Sequence, residues 1–284
     1  MGKENELYCG LTPFLNCKDH LVSGESYEVM KCNQYDILVT SPVPIDLNHY
    51  YEDEAYISHT DAKKTLFDKI YQQVKSVSTK RKYKLIKKFD TRKNILDIGA
   101  GTGDFLSFFK KKGWEIYGIE PSNKARNLAK KKEVHLEETL TSFDQKKFDV
   151  ITMWHVLEHV PNLNEYIHTL KKLLSETGVL VVAVPNFKSY DAAYYKEYWA
   201  AYDVPRHLWH FSQKGIEQIF LKENMKVIET HPLKFDSYYV SLLSEKNKTG
   251  KQNPIKAFLT GLKSNWNARS TSEYSSLIYV IKKQ

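Results

Sequence analysis

Cysteine is scarce. The 284-residue chain has three, Cys9, Cys17 and Cys32, all near the N-terminus. An odd number clustered at one end argues against a disulfide framework and leads us to expect a reducing cytoplasm. No apolar run reaches the ~20 residues of a membrane-spanning helix. The opening MGKENELYCG has no apolar core of a secretory leader, and it lacks the Ser or Thr at position six of the myristoylation pattern. Internal repeats and long low-complexity segments are also missing. What is present reads as globular: 42% hydrophobic and 27% charged residues. The net charge of +8, 42 basic less 34 acidic, admits an acidic partner without requiring one.

Three segments differ in character. Residues 1–48 hold all the cysteines and end in the proline-bearing SPVPID, a linker. Residues 49–90 are basic and mostly helical, with Leu66, Ile70, Val74 and Val77 at helical spacing. Residues 91–284 alternate strand and helix: NILDIG, DFLSFFKKKG, WEIYGIE, SNKARNLAKKK, KFDVITMW, LNEYIHTLKKLL, GVLVVAVPN. SQKGIEQIFLKENMKVIETH adds a further helix and strand, and SSLIYVIKK a last strand. This order predicts an α/β fold with a parallel sheet covered on both faces.

Gly99, Gly101 and Gly103 follow a strand and open a helix, where a ligand can approach the backbone closely. The loop has no G-x-x-x-x-G-K-[ST] pattern and no lysine to hold a triphosphate. Asp97 and Asp104 flank it, and both would repel a pyrophosphate. A ligand with a cationic end suits it better, and S-adenosylmethionine carries an ammonium and a sulfonium. Glu120 ends the next strand, where an acidic residue accepts ribose hydroxyls.

ILDIGAGTGDF, YGIEPS, FDVITMWHVLEHVPN and GVLVVAVPN resemble the successive motifs of class I S-adenosylmethionine-dependent methyltransferases, over roughly residues 90 to 230. The resemblance implies a Rossmann-like sheet of seven strands, the last antiparallel and inserted, with SSLIYVIKK in that place. It implies donor contacts from Asp97, Gly99, Ala100, Gly101, Glu120 and Pro121. Thr139 and Leu140, after a short third strand EVHLE, would flank the adenine. Trp154 and His155 would border the methionine part. The upstream YYEDEAY resembles a segment that closes over the donor, which adds Tyr56. The product would be S-adenosylhomocysteine.

His155-x-x-Glu158-His159 also reads as an inverted zinc-protease motif. Pro161 follows too closely for a zinc-holding helix to run through it, so we expect no metal there. Between PNF and FSQ lies an aromatic insertion, at about residues 187–211, ending in DVPRHLWHFS. That string resembles an element of small-molecule methyltransferases related to the ubiquinone pathway. Read as an acceptor lid, it offers Tyr202 as a wall, Arg206 to hold an anionic group, and His207 and His210 as charge or base. Histidine suits proton removal near neutral pH, and His207 and His155 are the catalytic candidates. ELYCGLT and VMKCNQY resemble an N-terminal zinc ribbon that precedes some methyltransferase domains. Thr12 and Tyr35 stand where its second cysteines would be, so this ribbon-like unit is expected to hold no zinc.

The expected function is methyl transfer to a small molecule, such as a sugar derivative, a quinone-like ring or a lipid precursor. One alternative is a non-catalytic donor-binding module. The other is a nucleic-acid methyltransferase, for which residues 80–88 are the densest basic footprint. MWHV in place of an Asn/Asp-Pro-Pro-aromatic motif, and the absence of cysteine from the catalytic region, make nucleic acid an unlikely substrate.

Overall fold

The computed structural model describes residues 6–8, 10–51, 66–89 and 94–284. Strands β1 (Leu11–Lys18), β2 (Ser26–Cys32) and β3 (Ile37–Ser41) form an antiparallel meander. Helix α1 (Leu66–Lys87) follows. Its described buried residues, Leu85 and Ile86, lie at its C-terminal end, whereas Val77 is exposed.

The α/β part then runs β4 (Asn94–Ile98), α2 (Asp104–Lys110), β5 (Glu115–Ile119), α3 (Asn123–Lys130), β6 (Phe148–Trp154), α4 (Leu163–Leu173) and β7 (Leu174–Pro185). It continues with α5 (Tyr190–Tyr195), β8 (Trp209–Phe211), α6 (Gln213–Lys222), β9 (Met225–Pro232), α7 (Asp236–Thr249), α8 (Pro254–Thr271) and β10 (Ser276–Lys283). The central sheet has the order β5-β4-β6-β7-β10-β9. Strands β5, β4, β6 and β7 are parallel, and β10 runs antiparallel to both β7 and β9. The last strand is therefore inserted where the sequence places it.

The expected seven strands are six plus a remnant among the described residues. The EVHLE segment makes one isolated bridge, Ile119 to Glu137. Two 2.9 Å backbone bonds hold it, from Glu137 N–H to the Gly118 carbonyl and from Glu120 N–H to the Glu137 carbonyl. Only Val134 and Leu136 turn inward in a run of otherwise polar residues, and a 3-10 turn at Leu140–Phe143 ends it. Too little apolar surface lies along this edge to extend the pairing.

Alternation along the strands builds a core on each side of the sheet. Leu96, Ile98, Ile151 and Met153 meet Leu163 and Ile167 of α4 and Ile216 and Phe220 of α6. Ile95, Val150 and Val181 meet Leu106 and Phe109 of α2, Ala129 of α3 and Ile86 of α1.

The N-terminal meander is completed by the insertion: β8 pairs with β3, setting Ile37 against Phe211, Leu38 against His210 and Val39 against Trp209. Leu7, Cys32 and Ile37 pack in the same cluster as the central sheet. Cys17 is buried in another, with Tyr195 and Tyr202, and burial followed by the nearby Glu197 pushes its thiol up to about 12. Cys17 and Cys32 thus serve as core residues, and Cys9 lies outside the described residues.

Candidate functional site

The C-terminal end of β4 delivers the glycine loop. Gly99 has φ of +72°, and a Cβ there would come within 2.4 Å of Val156 Cγ2, so its smallness serves the contact between two loops. Gly101, at φ of +53°, differs: a Cβ there would meet nothing within 4 Å. Its bare backbone faces open space, as close approach of a ligand requires. The carboxylate of Glu120 spans the loop, accepting from Gly101 N–H at 2.8 Å and from Ser122 N–H at 2.9 Å. Ala100 N–H is bonded to the Ile119 carbonyl, and the Pro121 carbonyl accepts from Arg126.

Asp97 sits behind the loop, 2% exposed, accepting from Thr152 Oγ1 at 2.6 Å. Burial pushes its carboxyl up to about 7, with Glu120 adding to the rise and Thr152 and Lys82 opposing it. Lys82 Nζ stands 3.8 Å from the centre of the Trp154 ring, and Phe105 packs edge-on against the same ring. Trp154 Nε1–H is buried with no hydrogen-bond partner among the described residues, a donor turned inward where a ligand acceptor would satisfy it. Thr139 is exposed, its hydroxyl 2.7 Å from that of Thr141, and Leu140 packs against the core beside it. Tyr56 lies outside the described residues.

The loop after β6 is strained and highly charged. His155 has φ of +57°, which few non-glycine residues adopt. Its Nδ1 is 3.3 Å from Glu158 Oε1 and its Nε2 is 3.0 Å from Asp236 Oδ2 at the start of α7. Desolvation alone would lower the imidazole pKa, but the two carboxylates override it and raise it to about 10. The two carboxylates thus favour the charged form of His155, which suits it to an ion-paired place in this loop. Burial would raise Glu158, yet His155, with help from His207 and His159, holds it down at about 2. Neither Glu158 oxygen has a hydrogen bond of good geometry. Burial, then repulsion by His207, lowers His159 to about 4.

The insertion returns to this loop: Leu208 N–H bonds to the Glu158 carbonyl at 2.8 Å, and Trp209 Nε1–H to the Val160 carbonyl at 2.7 Å. His207 is thereby set against His159, ring centres 4.6 Å apart. His207 Nδ1 is 2.8 Å from the Ala201 carbonyl, a bond only its N–H can make, and its Nε2 is 3.9 Å from Asp203 Oδ2. One ring nitrogen each from His159 and His207 and one oxygen of Glu158 lie within 4.8 Å of one another. The sequence reading weighs the zinc motif that holds Glu158 and His159 and expects no metal, but this donor set, with His207 in place of His155, could hold a divalent ion.

Arg206 and His210 both lie in the packing between the insertion and the N-terminal meander. Arg206 is 1% exposed and ion-paired to Asp203 at 2.6 Å and to Asp19 at 3.0 Å. Through Nε and Nη2 it ties the β1–β2 turn to the insertion, while its Nη1 is buried with no hydrogen-bond partner among the described residues. His210 Nε2 is 3.0 Å from Thr40 Oγ1, whose own proton goes to the His207 carbonyl at 2.6 Å. Burial, then His207, lowers His210 to about 3, so it stays neutral. Tyr202 is buried between Trp199 and His210, and burial raises its phenol well above its ordinary value. Lys82, Thr152, Asp236 and Thr40 escaped the sequence reading. Only Lys82 left a signal, as part of the basic stretch.

A strand–glycine loop–helix with an acidic residue ending the next strand, on a sheet whose last strand is antiparallel and inserted, defines the class I methyltransferase fold. The family model described as "Methyltransferase domain" matches residues 64–230, and the chain belongs to that family. Ubiquinone biosynthesis O-methyltransferases are among its relatives. That of Pelagibacter ubique (strain HTCC1062) is 35% identical over 127 residues, 38% of this chain and 53% of the relative. That of Rhodopseudomonas palustris (strain TIE-1) is 30% identical over 112 residues, 35% of this chain and 43% of the relative. The chain thus spans about half the length of these curated relatives. Among solved structures, magnesium protoporphyrin IX methyltransferase from Synechocystis PCC 6803, with bound S-adenosylhomocysteine, superposes with a TM-score of 0.53 at 14% identity, covering 80% of this chain and 91% of that one. This likeness supports the fold.

Proposed function

We propose that this chain binds S-adenosylmethionine at the β4 loop and catalyses methyl transfer to a small-molecule acceptor. The observation that carries the reading is the open space at Gly101, whose N–H is bonded to the Glu120 carboxylate. Glu120 would accept the ribose hydroxyls, exchanging its bonds to backbone N–H groups for them. Asp97 and Trp154 would face the methionine end, with Gly99, Ala100 and Pro121 shaping the wall and Thr139 and Leu140 flanking the base. When bound, S-adenosylmethionine supplies an electrophilic methyl group on sulfur.

On the acceptor side, His207 takes the proton that the acceptor loses. The Ala201 carbonyl fixes its tautomer, and Asp203 stands close enough to stabilise the imidazolium that forms. The charged His155–Glu158–Asp236 group holds the β6 loop in its strained form. The N-terminal unit of residues 1–48 and the insertion at about 187–211 act together as the acceptor-side cap, with Tyr202 and His210 in its packing. The names of the ubiquinone-pathway relatives favour the quinone-like ring among the acceptors expected from sequence.

Calorimetry tests the donor half: S-adenosylmethionine and S-adenosylhomocysteine should bind, and NAD should not. Incubation with small-molecule extract and deuterium-labelled donor, read by mass spectrometry, tests the acceptor half. Failure of both donor and product to bind removes the proposal.

A further inference from the structure

The α7–α8 hairpin, between β9 and β10, is built inside out. All but one of its buried positions are small: Ser237, Ser241 and Ser244 on α7, and Ala257, Gly261 and Ser264 among those on α8; the exception, Glu245 of α7, is paired with Lys256 at 3.2 Å. Gly261 lets the helices touch, since a Cβ there would come within 2.8 Å of Tyr238 and 3.0 Å of the Ser237 carbonyl. The large apolar residues of α8 point outward instead. Ile255 is 77% exposed, Phe258 56%, Leu259 57%, Leu262 44% and Trp266 67%. At i, i+3, i+4, i+7 and i+11 they line one face, an apolar stripe about 16 Å long at 1.5 Å per residue. An aqueous helix hides such a face; a helix lying in a lipid interface displays it.

Charge supplies the second observation. Residues 246–272 contain six basic residues, Lys246, Lys248, Lys251, Lys256, Lys263 and Arg269, and no Asp or Glu. The stripe opens at Leu262 and Trp266 onto a depression lined also by Arg81, Lys234 and Arg269. That depression shares Arg81, Lys234 and Phe235 with a second one, lined further by Lys84 of α1 and by Lys88 just beyond its end. Neither has an acidic residue in its wall. Cations flanking an exposed apolar face complement lipid phosphates beside acyl chains. The longest described helices are not apolar enough to cross a bilayer, so the hairpin would lie on it.

We propose that the α7–α8 hairpin and the adjoining Arg81–Lys234–Arg269 depression dock this protein on an anionic lipid surface. The site of docking touches the candidate active site, because Asp236 in the first turn of α7 pairs with His155. Binding to the surface nonetheless stands apart from the assigned donor and acceptor, and is measured without either.

The test uses the full chain and vesicles of phosphatidylcholine, alone or with one third phosphatidylglycerol, in a co-sedimentation assay. Binding is expected to the anionic vesicles, weakened by salt. The Phe258→Ser/Trp266→Ser and Lys234→Glu/Arg269→Glu double variants should each lose about tenfold or more in partitioning. All four side chains lie at the surface, so the melting temperature and S-adenosylhomocysteine binding should be unchanged. Three results would overturn the proposal. One is no binding to the anionic vesicles at low salt. Another is binding that both variants retain. The third is occupation of the face by another macromolecule: a dimer seen by light scattering and abolished by Phe258→Ser/Trp266→Ser, or saturable RNA binding abolished by Lys234→Glu/Arg269→Glu, in either case without vesicle binding.

Discussion

Asp97 makes donor binding depend on pH in a way that can be calculated. Its carboxyl is raised from 3.8 to about 7 in the ligand-free protein, mainly by burial. The difference is about 4 kcal/mol against the charged form at 1.36 kcal/mol per pH unit. The sign follows. A raised carboxyl favours the folded state most below the unfolded value of 3.8, and that contribution is lost as pH rises through about 7. A cationic ligand end placed near Asp97 stabilises the carboxylate, so binding selects the ionised form. Apparent donor affinity should then fall roughly tenfold per pH unit below about 7, giving a loss of about 11-fold at pH 6 and about 100-fold at pH 5. Above pH 7 it should level off until the ligand's own amine, near ~7.7–8.0, begins to lose its proton. Calorimetry with S-adenosylhomocysteine between pH 5.5 and 7.5 measures the slope, and buffers of differing ionisation enthalpy show proton release. Asp97→Asn should bind weakly and lose the slope. A flat wild-type profile, or an equal slope in Asp97→Asn, would refute the reasoning.

Four further outcomes are expected. Gly101→Val should weaken donor binding at least about tenfold, because its side chain enters the open space and its φ is strained, while Gly99→Ala should chiefly lower the melting temperature through its clash with Val156; calorimetry and thermal melts on both variants separate the effects. His207→Ala should cut turnover by ~10²-fold or more with donor affinity nearly unchanged, and normal turnover per folded molecule would remove it from the mechanism. The His155 ring should titrate near 10 by NMR; its raised value supports the fold fully below 6.5 and is lost as pH climbs through about 10, so His155→Gln should flatten alkaline destabilisation. Asp191 is buried and accepts from Trp199 Nε1 and the hydroxyls of Ser264 and Ser275, so Asp191→Ala should cost about 3 kcal/mol in chemical denaturation, near 1 kcal/mol for each bond lost.

The inner strands of the central sheet were legible because both their faces are buried. NILDI, FDVITMW and the VLVVAVP of β7 are near-continuous apolar runs, and such runs have few other fates in a chain that alternates with amphipathic helices. The edge at Glu137 was harder, because an edge strand needs apolar residues on one face only and EVHLE barely supplies those. The hairpin α7–α8 was invisible for the opposite reason. Periodicity marks a buried face by its large apolar residues, and here the buried seam is Ser, Ala, Thr and Gly with one Glu, while Ile255, Phe258 and Trp266 face out. Reading those as core would place the helix the wrong way round.

The site divides along the same line. Residues that act through local backbone geometry, Gly99, Gly101 and Glu120, announce themselves by spacing within one loop and the next strand. Residues that act through distant partners do not. Nothing adjacent to Arg206 in sequence says that Asp19, 187 positions away, takes its charge. Nothing near His155 says that Asp236 fixes its protonation. Of the two cysteines in the ribbon-like motifs, Cys9 lies outside the described residues and the Cys32 thiol is a core atom, as is that of Cys17, so the meander's contribution lies elsewhere. It pairs β3 with β8, and Thr40 at the end of β3 bonds both the His207 carbonyl and the His210 ring. Because β8 directly follows His207 and Leu208 is fastened to the Glu158 carbonyl, the histidine is fixed between two sheets rather than carried on a free loop. A proton acceptor must keep its place to within a few tenths of an ångström to be useful. The pairing of β3 with β8 meets that requirement through backbone hydrogen bonds.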